Sequence, residues 1–358
     1  MTMYLRNGKR LNASASGATD GAPTATSYPN GRYNGHRPPR PARGATAPLP
    51  LTRKRDKPLV LGTWNVRSIG RGLPGKRELL IDELHRWNVD IAALSEIRVK
   101  GTSEFIQIGS IPDHKFKLFL SGDQASSDHG VGFAVKSSLV SCVEAFRPIS
   151  NRLALLNLRS AIKVTLVSAY APTNCDADDS IKDAFYEALS DVIEENKNGI
   201  IVLLGDFNAG VGTDRVGWER ELGNFSSGHR NENGRRLLNL ASAHRLGICN
   251  SWFRHKTRVS WHSPDGKTHK LLDYILINRR FGTSMKDVKV LPASCVGSDH
   301  DLVVCRLKLS LLRRKRKEKP FFPDWHAMSA DPALRQKYRD CLTAVSYTHL
   351  TLPTTSRV

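Results

Sequence analysis

Cysteine is scarce and scattered. The six in 358 residues (Cys142, Cys175, Cys249, Cys295, Cys305 and Cys341) form no CxxC pair and no cluster with histidine. That pattern excludes a zinc finger and a disulfide scaffold, and reduced intracellular thiols are the expectation. Long apolar runs are also missing. None reaches the roughly 18 residues of a membrane span, and the start, MTMYLRNGKRLNASASG, lacks the apolar stretch of a secretory leader. Acidic charge is short too: 34 Asp and Glu stand against 54 Lys and Arg, a net charge of +20. Such an excess favours polyanionic partners, nucleic acid foremost, over membranes or small-molecule cofactors.

The charge is unevenly placed. Residues 1–57 hold 11 basic and 2 acidic side chains, 309–344 hold 9 and 4, and 345–358 add +1, which leaves only +5 for 58–308. The first arm is rich in Gly, Pro, Ala, Ser and Thr and has almost no apolar period. It cannot bury enough surface to offset its ordering entropy, so 1–57 is expected to be a disordered basic arm. From Leu59 the pattern changes. Strand-like runs fall at 59–66, 89–96, 116–120, 131–135, 153–158, 164–170, 199–209, 271–277, 288–291 and 302–307. Helical spacing appears at 77–87, from the N-cap candidate Asp179 to about Asn196, and over 234–245. Many strands with few helices predict an α/β domain over 58–308 made of two packed sheets with helices outside.

The chemistry-bearing residues sit where these runs stop: TWNVRS (63–68), LSEIR (94–98), SAYAP (168–172), GDFNA (205–209), LLDYI (271–275) and SDHD (298–301). Any one has a bland explanation as a turn, cap or solvated residue. Asp273 is the exception, because a carboxylate inside an apolar strand needs a partner. Six polar strand ends converging on one rim would make an acidic pocket with carboxamides and a histidine. Phosphodiester hydrolysis wants that set. Glu96 is the candidate ligand for a hard cation, Mg²⁺ with Mn²⁺ as the alternative. Asp206 suits water activation. Asn65, Asn208 and Tyr170 can donate to phosphoryl oxygens, and His300, held by Asp273, can present an N–H or carry a proton.

The ordered set Asn65, Glu96, Tyr170, Asp206-x-Asn208, Asp273, Ser298-Asp299-His300 resembles the endonuclease/exonuclease/phosphatase superfamily across nearly all of 59–307. The resemblance implies a four-layered α/β sandwich and metal-dependent phosphodiester cleavage. It implies metal ligation by Glu96, with Asp299 near the ion, and catalytic roles for Asn65, Tyr170, Asp206, Asn208, Asp273 and His300. NENGRRLLNLA (231–241), SWHSPDGKTHKLLDYILI (260–277) and TWNVRS are similar to the endonuclease domain of RTE-type non-LTR retrotransposons and of craniofacial development protein 2-like relatives. The apurinic repair branch carries a carboxylate two residues after its first-motif Asn, where this chain has Arg67. His262 stands where such relatives often have Thr, while Ser260 and Trp261 remain.

The expected function is therefore a Mg²⁺-dependent DNA endonuclease of retrotransposon origin. The alternatives are an abasic-site repair nuclease and a domesticated domain that binds nucleic acid or protein without using its catalytic set. A retrotransposon protein carries a reverse transcriptase beyond such a domain, so at most the nuclease module is expected here. RRKRKEK (313–319), six basic residues in seven, reads equally as a solvated run and as a DNA contact or nuclear import signal within a basic linker. An intracellular, nuclear protein is expected. The last stretch, 345–358, resembles translated adaptor sequence and is set aside as a non-native tail.

Overall fold

The computed structural model describes residues 51–54, 57–69, 74–173, 178–292, 296–314 and parts of 331–340. Nearly all of the basic arm, residues 315–330, the 345–358 tail, and Cys175, Cys295 and Cys341 lie outside the described residues.

The strands, in chain order, are β1 (Leu51–Lys54), β2 (Leu59–Asn65), β3 (Ile91–Ser95), β4 (Thr102–Ile108), β5 (Lys115–Ser121), β6 (Val131–Lys136), β7 (Val143–Pro148), β8 (Leu153–Leu158) and β9 (Val164–Tyr170). They continue as β10 (Ile200–Asp206), β11 (Leu246–Ile248), β12 (Trp261–His262), β13 (His269–Lys270), β14 (Asp273–Asn278), β15 (Met285–Leu291), β16 (Leu302–Leu307) and β17 (Leu311–Arg314). The helices are α1 (Lys76–Arg86), α2 (Asp179–Glu195) and α3 (Glu232–Ala243). One sheet has seven strands in the order β15-β16-β2-β3-β6-β5-β4, and the other has six, β11-β14-β10-β9-β8-β7. Two small ladders, β1-β17 and β12-β13, complete the set.

The side-chain period of two sorts each strand into an inner and an outer face. Leu61, Ile91 and Phe133 of the first sheet meet Leu156, Leu166, Val202 and Ile275 of the second in the central core. The alternate residues face outward. Trp64, Ala92, Leu94 and Ala134 pack under Leu80 and Leu84 of α1. Leu155, Val167 and Leu203 pack under Phe185 and Leu189 of α2 and Leu237 of α3. The result is helix on sheet on sheet on helix: the two packed sheets with outer helices that the strand-rich pattern predicted, and the four-layered sandwich that the family resemblance implied. A full truncation of one such leucine, Leu84→Ala for example, removes about 2–5 kcal/mol.

Three local departures have clear causes. β4 was not anticipated because it is an edge strand whose residues alternate between exposed and half-buried, Ile106 being 64% exposed, so no apolar face marks it. α2 is capped by Asp178 rather than Asp179, its carboxylate accepting from the Ser180 amide at 3.3 Å. The Asp273 and His300 signatures open strands instead of closing them. β14 runs antiparallel to β10 and β16 antiparallel to β2, so the starts of β14 and β16 lie on the rim where β10 and β2 end.

Candidate active site

The rim forms because two parallel strand pairs, one from each sheet, finish together. β2 and β3 are parallel and end at Asn65 and Ser95, and β9 and β10 are parallel and end at Tyr170 and Asp206. The antiparallel β14 then places Asp273 directly opposite Asp206. On the other side of β10, Gly205 permits the close approach of β9: a Cβ there would lie 1.9 Å from the Ala169 carbonyl oxygen. Two site residues leave their strands in the left-handed region, Glu96 at φ 49° and Asn208 at φ 46°. That conformation is costly for a glutamate and persists where surrounding bonds impose it. The Glu96 carbonyl accepts from the Ser68 amide at 2.6 Å, and the Ile97 amide donates to Gly130 at 3.1 Å.

Asn65 is the hinge of the network. Its Nδ2 donates to Glu96 Oε1 and to Asp206 Oδ2, 3.0 Å each, and its Oδ1 accepts from the Arg67 amide at 3.1 Å. Tyr170 donates its hydroxyl to the same Glu96 Oε1 at 2.8 Å. Asp273 Oδ2 accepts from Ser260 Oγ at 2.7 Å and from His300 Nδ1 at 2.8 Å. The opposite imidazole nitrogen, Nε2, lies 3.8 Å from Asp206 Oδ2. Ser298 Oγ donates to the Asn65 carbonyl at 2.6 Å and accepts from the His300 amide at 3.0 Å, which ties the SDH turn to β2. Asn208 donates to the Ala171 carbonyl at 2.9 Å. The carbonyl of Asn208 accepts from the carboxamides of Asn231 (3.2 Å) and Asn233 (3.3 Å), so the NENG segment anchors the GDFN turn.

The structure thus brings Asn65, Glu96, Tyr170, Asp206, Asp273 and His300 into one bonded cluster, with Asn208 joined through the Asp206 carboxylate at 2.9 Å. Asp299 stands at its edge, where Oδ2 accepts from Trp261 Nε1 at 3.2 Å and lies 3.7 Å from Arg67 Nη1.

Electrostatics separate the carboxylates. Burial opposes the charge of Glu96, but hydrogen bonds from Asn65 and Tyr170 and the nearby Arg98 guanidinium outweigh it and hold the group below its ordinary pKa. Burial, followed by the charge of Asp273, pushes Asp206 up to about 7 against the pull of His300. Burial also disfavours charge on His300, yet the carboxylates of Asp273 and Asp206 raise its pKa to about 10. Tyr170 is raised by burial and by Glu96 and Asp206, which keeps it a hydroxyl donor.

Sequence patterns did not single out several contributors. Arg98 pairs with Glu96 Oε2 at 2.9 Å, and only its place two residues further on hints at this. Lys76, buried at the start of α1, donates to the Arg67 carbonyl at 3.0 Å. Burial and the charges of Arg67 and Arg98 lower its pKa. Arg152 lies 5.0 Å from the Tyr170 ring centre. Ser260 reaches Asp273 across 13 residues, a contact that no local pattern encodes.

A cation finds two sets of donors here. Asp206, Asp273 and His300 offer ligand atoms within 4.8 Å of one another. All three are buried, and their oxygens are largely taken up by hydrogen bonds from Asn65, the Asn208 amide, Ser260 and His300 itself, apart from Asp273 Oδ1, which has no hydrogen-bond partner. Glu96 keeps 16% of its side chain exposed and is held charged. A hard cation that retains several waters fits that opening better than the sealed triad.

A two-sheet α/β sandwich with acids, carboxamides and an Asp–His pair on one rim is the architecture of the endonuclease/exonuclease/phosphatase class. The chain belongs to that family: residues 62–300 match the Endonuclease/Exonuclease/phosphatase family. Craniofacial development protein 2 of Tragulus javanicus is 31% identical over 265 residues, which cover 73% of this chain and 44% of the relative. The chain therefore spans less than half the length of that curated relative. Among solved structures, the APE2 catalytic domain of Xenopus laevis superposes with a TM-score of 0.51 at 18% identity, covering 72% of this chain and 94% of that one. The endonuclease domain of TRAS1, a telomere-specific non-LTR retrotransposon, gives 0.50 at 17% identity, covering 70% and 99%. These structures share the fold. Among the described residues no helix is long and apolar enough to cross a membrane.

Proposed function

We propose that this protein is a metal-dependent DNA endonuclease of retrotransposon origin that nicks DNA by hydrolysis, with Mg²⁺ as the ion and Mn²⁺ as its alternative. The observation that carries this reading is Asn65 bridging Glu96 and Asp206, which links a charged, partly open carboxylate to a buried one with a raised pKa. Unequal carboxylates of this kind suit separate tasks.

Glu96, with Asp299 nearby, would hold the ion, which supplies charge neutralisation at the scissile phosphate and at the leaving oxygen. The protein's own groups do the rest. Asp206, once ionised, orients an attacking water and accepts its proton. Its raised pKa makes it a better base than an ordinary carboxylate, and His300 on its far side stabilises the ionised form. Asn208 uses one of its two amide hydrogens on Ala171 and has the other for a phosphoryl oxygen. Asn65 gives its two amide hydrogens to Glu96 and Asp206 and Tyr170 gives its hydroxyl to Glu96, so both fix the carboxylates, and a bond from either to phosphate would replace one of these. Asp273 holds the imidazole through Nδ1, so Nε2–H points toward Asp206 and the substrate side. Arg67, Lys76, Arg98 and Arg152 give the rim the positive potential that a DNA backbone needs.

Arg67 in place of a carboxylate, paired with Asp299, sets this rim apart from a dedicated abasic-site enzyme. The deciding experiment is nicking of supercoiled plasmid by the full chain, with Mg²⁺ and with EDTA. An intact plasmid in Mg²⁺, with the fold preserved, would leave a domesticated binding domain as the better account. A preference for abasic over intact duplex would favour the repair reading. The expected nuclear location is checked separately, by imaging a tagged chain with and without the 313–319 basic run.

A further inference from the structure

β12 and β13 form a short hairpin in which His262 and His269 are direct cross-strand partners. Their Nδ1 atoms lie 2.8 Å apart. On the other side of the ring, His262 Nε2 meets Asp301 Oδ2 at 2.9 Å. A carboxylate oxygen accepts, so Nε2 carries the proton and Nδ1 of the neutral ring presents a lone pair toward His269. A carboxylate behind an imidazole is the pairing that orients a metal-bound histidine and raises its basicity. Neither imidazole bonds to Glu96, Asp206, Asp273 or His300, so the nuclease chemistry leaves both unused.

We propose that His262 and His269 form a chelating site for a transition-metal ion, distinct from the oxygen-donor site at Glu96. Two nitrogens bound at right angles to an ion at about 2.0–2.1 Å stand about 2.9 Å apart. The observed separation is close to that; without an ion it is a hydrogen bond from His269 Nδ1–H to the His262 lone pair, so binding shifts the His269 proton to Nε2 of that exposed ring and turns both Nδ1 lone pairs onto the ion. Right-angle positions belong to tetragonal and octahedral ions, so Cu²⁺ and Ni²⁺ suit the pair better than tetrahedral Zn²⁺, and imidazole donors exclude Mg²⁺. His269 is exposed, and the remaining coordination positions open to water. The hairpin is also tied to the rim: Trp261 pairs with His300, the His262 amide donates to the Asp299 carbonyl at 3.0 Å, and the Asp301 amide donates to Ser260 at 2.7 Å. An ion across both strands would stiffen the segment that carries Ser260 and Trp261 against Asp273 and Asp299.

The test is calorimetric titration of the tag-free full chain with Ni²⁺ and with Cu²⁺, in millimolar Mg²⁺ to satisfy the oxygen donors. One ion per chain is expected, with affinity falling about tenfold or more in His269→Ala and His262→Ala, and about 10–100-fold in Asp301→Asn. His269 is exposed, so His269→Ala should keep the wild-type circular dichroism. Electron paramagnetic resonance of the Cu²⁺ form should show two imidazole nitrogens. Equal affinities for wild type and His269→Ala, or a Cu²⁺ spectrum without two nitrogen couplings, would overturn the site and leave the nuclease assignment standing.

Discussion

Asn65 donates from a single nitrogen to Glu96 and to Asp206, at 3.0 Å each, although β3 and β10 belong to different sheets. One carboxamide therefore spans the sandwich and holds two acids of unequal pKa at a fixed separation. Replacing it frees both acids. Asn65→Ala should fold normally and lose about 10²–10³-fold in nicking rate, the scale seen when one transition-state donor is removed. Gel-based nicking at saturating DNA measures this, and a wild-type rate would mean that the bridge is only structural.

Glu96 tests the metal. Glu96→Gln keeps the shape but removes the charge, and with it the ion's hard anionic ligand. Activity should fall by orders of magnitude, and the Mg²⁺ concentration needed for half-maximal rate should rise. Wild-type activity in EDTA would end the metal assignment whatever the variant does.

Asp273 and His300 should act as a unit. Asp273→Asn and His300→Ala are each expected to remove most activity, and the double variant should be little worse than either alone. Losses that simply multiply would mean that the two residues contribute independently.

The pH profile follows from the buried charges. Asp206 must be ionised to accept a proton, so activity should rise as pH climbs through about 7. His300 must keep its proton, so activity should fall as pH passes about 10. Stability carries the same histidine signature. Its pKa is raised by folding, so its contribution is complete below its ordinary value of 6.5 and is lost as pH rises toward about 10. Burial lowers the His300 pKa and Asp273 is the largest cause that raises it, so Asp273→Asn should move the alkaline limb of activity down. An unmoved limb would show that another group controls it.

Gly205 tests the backbone at the GDFN turn. A methyl group there would meet the Ala169 carbonyl and force β9 and β10 apart. Gly205→Ala should cost about 1–3 kcal/mol in urea unfolding, as overpacking does elsewhere. It should lower activity further by displacing Asp206 from Asn65. Unchanged stability would mean that the strands part without strain.

What the sequence alone determined is local. Apolar runs at strand spacing located β2, β3, β9, β10 and β16, because burial on both faces leaves a near-continuous hydrophobic signal. Polar residues at the ends of those runs marked the rim, because a carboxylate or carboxamide inside an apolar stretch has to find a partner. The tertiary structure decided who the partners are. Asp273 lies opposite Asp206 because β14 reverses direction, and chain direction leaves no trace in an apolar pattern. Arg98 on Glu96, Ser260 on Asp273 and Asn233 under Asn208 depend on turns and on strands from distant parts of the chain. β4 went unseen because one exposed edge needs no apolar face, and its place was set by pairing with β5. Hydrophobic period fixes which face of a strand is buried, whereas strand order, direction and register are settled only when two sheets close over one core.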